Sequence, residues 1–169
     1  GLGDVYKRQT LPDFDGKNPL RKNLLTFDEI MIINAIAILY VNNDEIMTAI
    51  QLDMWLKEYM ENKLVDGKTK TAKYPMILYN LSCWLDDEGY HKESLEMAEQ
   101  GLEFCIKYGN LFFFPILVAN KGVALAGLGK MEEAKEQLHQ AIMIFKSMKQ
   151  NDHIQLIIDW CRTNYGIEF

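Results

Sequence analysis

The chain has 169 residues, 49% apolar and 25% charged, proportions of an ordinary globular protein able to bury roughly two-thirds of its unfolded surface. A net charge of −6 argues against this chain itself gripping nucleic-acid phosphates. Three scattered cysteines without a CxxC pair, together with no signal-peptide pattern and no membrane-length apolar run, predict a cytoplasmic protein with reduced thiols.

Residues 1–9 are read apart from the fold. Asp4-Val-Tyr-Lys-Arg-Gln9 matches the translation of a transposon-end sequencing adaptor, so this stretch is expected to be an artefact that replaces a missing N-terminal portion. Residues 10–25, with Pro12, Gly16 and Pro19, read as a linker. Residues 26–169 are expected to form one repeat domain.

Thr26-Phe-Asp-Glu29 is a capping box, in which the Thr26 hydroxyl and the Glu29 carboxylate reciprocally satisfy backbone amides. A helix is predicted from there to about Val41. Asn42-Asn43-Asp44 makes the turn, and a second helix runs from about Glu45 to Leu64. Val65–Ala72 reads as a polar loop. Helices follow near Pro75–Asp87, His91–Tyr108, Phe113–Ala126, Met131–Lys149 and Asp152–Tyr165.

Two of these pairs are copies of one another at a spacing of about forty residues. Pro75 answers Pro115, Asn80 answers Asn120, Ser82 answers Gly122 and Leu85 answers Leu125. Gly89 then answers Gly129, Ser94 answers Ala134 and Gly101 answers Ala141. Small residues at the packing positions let helix backbones approach closely. The unit resembles a tetratricopeptide repeat, and residues 26–64 read as a degenerate copy. The expected fold is therefore all-α: a tetratricopeptide-like α-solenoid of three helix pairs, with a final helix that caps the open apolar edge.

Catalytic and metal-binding signatures are missing from the sequence. It holds no phosphate-binding loop, zinc-protease motif, nucleophile elbow or zinc-spaced Cys/His cluster. His91, His139 and His153 read as surface residues and the cysteines as small apolar fillers. Asp86-Asp87-Glu88 reads as a solvated helix end. The chain reads as a binding module, not an enzyme, and no cofactor is expected.

In such repeats the first helix of each pair lines the concave side. Residues three or four apart share a helix face, which puts Met76, Asn80, Cys83 and Asp87 together on one first helix. Ile116, Asn120 and Val123 share a face on the next, and Asn34 is a looser counterpart in the degenerate pair. An asparagine carboxamide both donates and accepts, so it can pair with an extended peptide backbone without reading its side chains. The competing expectation is that Asn80 and Asn120 bond to neighbouring helices and hold the repeats together.

Tyr79-Asn80-Leu81, Ala119-Asn120-Lys121-Gly122, the phrase Gly101-Leu-Glu-Phe-Cys-Ile-Lys-Tyr-Gly109, Phe114-Pro115 and Tyr165-Gly166-Ile167 resemble, in combination, the C-terminal repeat domain of Rgg-like and PlcR-like transcriptional regulators. The resemblance runs from about Phe27 to Phe169. It implies a homodimer that binds a short signalling peptide, with Asn80 and Asn120 as clamps. DNA would be bound only through an N-terminal helix-turn-helix that has no counterpart here. Two other readings are a freestanding repeat adaptor for protein partners and a fragment of a Rap-like response-regulator phosphatase.

Overall fold

A computed structural model describes residues 25–62, 65–166 and 168. The expected artefact and nearly all of the expected linker lie outside that range. The described residues form seven helices and no strand: α1 (Phe27–Val41), α2 (Ile46–Asn62), α3 (Gly67–Asp87), α4 (His91–Tyr108), α5 (Phe114–Gly127), α6 (Met131–Ser147) and α7 (Asn151–Tyr165). They fall into two units, residues 1–77 and 78–169, with the division inside α3.

In the first unit the capping box forms as expected, with both reciprocal bonds at Thr26 and Glu29 present. Ile30, Ile33 and Ala37 of α1 and Leu56 and Met60 of α2 are fully buried. The Leu25 amide donates to the Tyr59 hydroxyl at 2.6 Å, tying the entry of α1 to α2. The turn between the two helices has no glycine. Asp44 adopts the left-handed conformation there (φ 60°), which a short polar side chain tolerates better than most.

The expected loop at 65–72 is largely helix. α3 begins at Gly67 and runs 21 residues, with Pro75 inside it. Asp66 supplies the start, for its carboxylate accepts from the Thr69 amide at 2.9 Å. Its carbonyl also accepts from the Lys70 amide. The Asp66 cap and the helix-favouring lysines carry the polar run into a helix despite the β-branched threonines, which lose rotamer freedom there. Pro75 and Pro115, equivalent in the repeat register, thus act differently. Pro115 opens α5, where no amide is needed, whereas Pro75 gives up one ladder bond in mid-helix.

The second unit contains the two clear copies and the last helix. Gly89 and Gly129 adopt φ of 80° and 76° and end α3 and α5 in matching tight turns. Small residues permit the close helix approach within each copy. Ser94 on α4 is fully buried and donates to the Ser82 carbonyl on α3 at 2.7 Å. In the second copy a Cβ built on Gly122 would lie 2.6 Å from Leu138 Cγ. The core between α5, α6 and α7 gathers Val118, Ala119, Ala141 and Phe145, with Ile154 and Ile157 of α7 packed against them. Cys161 and Leu138 form its other end.

Candidate functional site

Three helices of the second unit, the end of α3, α5 and α7, enclose a groove of about 500 Å³. That volume falls in the range of roughly 300–1,000 Å³ typical of sites for small ligands. α3 contributes Ser82, Cys83, Asp86 and Asp87. α5 contributes Ile116, Ala119, Asn120 and Val123. α7 contributes Leu156, Ile157, Asp159, Trp160, Thr163 and Asn164.

Asn120 is the polar centre of the α5 wall. Its Nδ2 donates to Ser82 Oγ at 2.6 Å and more weakly to the Tyr79 carbonyl at 3.4 Å, and it lies 3.2 Å from Cys83 Sγ. Ser82 passes its own proton to the Tyr79 carbonyl at 2.8 Å. The amide end of Asn120 therefore braces α5 against α3, as the competing expectation held. The oxygen end accepts from no group among the described residues, so the side chain keeps one hydrogen-bonding position for a ligand.

The electrostatics of the α3 wall follow from burial and like charge. Burial pushes the Cys83 thiol up to about 11 and the Tyr79 phenol up to about 12. A thiol that high is protonated at neutral pH and is not a ready nucleophile. Asp87 is also raised above the usual carboxylate range, first by burial and then by Asp86 and Glu88 beside it. Asp86 is paired, its Oδ1 2.7 Å from His91 Nδ1 on α4.

Of the residues singled out in the sequence, the structure brings Cys83, Asp87, Ile116, Asn120 and Val123 together around this groove. Asn80 is buried on α3 and is not among the groove-lining residues. Asn34, buried on α1, and Met76, half-buried on α3, belong to the first unit. One reading of a single residue needs correction. Asp86 is not merely a solvated helix end, because it pairs with His91 and faces the groove. His153 is exposed, as expected, and stacks on the Phe145 ring with centroids 4.9 Å apart, which helps seat α7.

The α7 wall was missed by sequence reasoning. Leu156, Trp160 and Thr163 recur at i, i+4 and i+7 beside the Ile154, Ile157 and Cys161 stripe that packs on the core, and Ile157 and Trp160 touch both groove and core. An apolar face wider than a plain cap needs was the available signal.

Among the described residues no group of His, Cys, Asp or Glu could hold a metal ion, and no helix is long and apolar enough to cross a membrane. Helix pairs joined by glycine turns, with small residues at the crossings and a groove beside the first helices, define a tetratricopeptide-like repeat domain. Residues 17–165 match the model of the RNPP family C-terminal domain, and the chain belongs to that family. No curated protein matches it. Its fold is similar to that of Bacillus thuringiensis PlcR, solved in complex with the peptide PapR7 and DNA. The TM-score is 0.70 at 16% identity, covering 93% of this chain and 59% of that one. The chain thus spans under two-thirds of the length of PlcR.

Proposed function

We propose that this chain is the peptide-sensing and dimerising part of a cytoplasmic helix-turn-helix transcriptional regulator, with a binding rather than a catalytic role. A short peptide occupies the groove between α3, α5 and α7, and the α5 and α7 walls bury its side chains. Asn120 offers its carboxamide oxygen to the peptide backbone, and Cys83 and Asp87 line the facing wall. The peptide favours one arrangement of two paired copies over another, and that preference reaches DNA through a separate domain. Asn80, Asn34 and Met76 take no part at this groove in that reading.

The observation that carries the proposal is the groove itself, with Asn120 at its centre, in a chain of this family and fold. Affinity selection tests it. The protein is mixed with a pool of short synthetic peptides of random sequence, separated from unbound peptide by gel filtration, and the retained peptides are read by mass spectrometry. Val123→Trp fills the groove and should abolish retention. Equal retention by wild type and Val123→Trp would reject the groove as the site. Sedimentation with and without retained peptide reports the pairing of copies.

A further inference from the structure

The charge of the groove singles out one class of peptide. Three carboxylates line it and no Lys, Arg or His does. Two of the three are already partnered. Asp86 is paired with His91, and Asp159 accepts from Gln155 at 2.9 Å and lies 3.6 Å from Arg162 on its own helix. Asp87 makes no ion pair among the described residues, and its charged neighbours Asp86 and Glu88 are both acidic. It shares the α3 wall with Ser82, Cys83 and Asp86, and the groove's apolar lining comes from Ile116, Ala119 and Val123 of α5 and Leu156, Ile157 and Trp160 of α7.

Asp87 is exposed, so the groove only partly desolvates its carboxylate, and an arriving ammonium or guanidinium offsets that partial loss. An acidic ligand would meet like charge instead. The apolar walls supply the rest of the recognition. Leu156, 68% exposed on α7, leaves apolar area on the groove that a ligand side chain can cover. The chain's net charge of −6 steers a cationic peptide toward it.

Resting on the peptide reading above, we propose that the groove selects a cationic peptide. This is an apolar segment whose positive group, a free amino terminus or a lysine or arginine side chain, sits beside Asp87 and Asp159. Its large apolar side chains lie against Ile116, Val123, Leu156 and Trp160.

The same selection, run with four sub-pools, tests the charge class. They are free-amine peptides with neutral side chains, N-acetylated peptides with one lysine or arginine, N-acetylated neutral peptides, and N-acetylated peptides with one acidic residue. Wild type should retain one or both cationic pools at least about tenfold over the acidic pool, as a partly desolvated charge pair implies. Which cationic pool is favoured tells whether terminus or side chain supplies the charge. Asp87→Asn/Asp159→Asn, checked for folding by circular dichroism, should collapse that ratio. Preference for acidic peptides, no charge preference, or an unchanged ratio in the double variant would overturn the proposal while leaving a peptide site intact. The same cationic preference in Val123→Trp would overturn it as non-specific attraction. Retention of no sub-pool by wild type would bring down the peptide reading itself.

Discussion

Gly122→Ala isolates the packing on which the second copy depends. A Cβ at Gly122 would lie 2.6 Å from Leu138 Cγ, 3.0 Å from its Cδ2 and 3.1 Å from its backbone nitrogen. Leu138 is fully buried, so a rotamer change alone does not relieve the contact, and α5 and α6 must move apart. Overpacking of this kind costs about 1–3 kcal/mol. Replacing glycine inside a helix returns about 1 kcal/mol of propensity, so a net loss of roughly 1 kcal/mol is expected. Urea denaturation followed by circular dichroism at 222 nm reads it as a lower midpoint at unchanged slope. The discriminating measurement is the cycle with Leu138→Ala. In that background the clash with the leucine side chain is gone and the new methyl fills vacated space. Gly122→Ala should therefore become neutral or stabilising there, a coupling of opposite sign to its effect in the wild type. A stabilising effect in the wild type, or the same cost in both backgrounds, would refute close approach at Gly122.

Other perturbations test the electrostatics. Asp87 has a folded-state pKa above its ordinary value, so its contribution is fully present below the unfolded pKa and is lost as pH rises through the folded one. Asp87→Asn should therefore raise the melting temperature near neutral pH and leave it unchanged in acid below both values. Glu61 runs the other way. Burial pushes it up, but hydrogen bonds from Tyr74 and Lys57 outweigh that and hold it below the usual carboxylate range. Tyr74→Phe should reduce stability at neutral pH by about 1 kcal/mol, with the difference shrinking as pH falls through the Glu61 titration. Burial raises Cys83, Cys105 and Cys161 each to about 11. Disulfide-exchange reagents should label all three slowly at neutral pH and faster in base. Labelling of Cys83 at the rate of a free thiol would contradict its placement in the α3 wall.

How much of this was legible in the sequence depended on what each signal measures. The glycine turns, the small residues at helix crossings and the forty-residue register report local backbone geometry and close approach, and they located α4 to α6 to within two residues. The start of α3 was lost because a run of Lys and Thr carries no periodicity, and because a proline was read as a helix start where it proved to be interior. Asn120 was found by its repeat partner, but the partner itself does not line the groove. An internal repeat equates positions in sequence, whereas the second wall comes from α7, which has no repeat counterpart. Asp86 was read as solvated because its partner, His91, lies across the turn on the next helix.

The placement of α7 bears on how such a domain would diversify. Only Cys161 of that helix is buried, yet Leu156, Asp159, Trp160 and Thr163 form one side of the groove. In the proposed reading, Leu156, Asp159 and Thr163 meet a ligand without holding the scaffold, whereas Ile157 and Trp160 serve both. On that reading, substitutions at Leu156, Asp159 and Thr163 retune which ligand is taken while the repeats beneath go on folding as before.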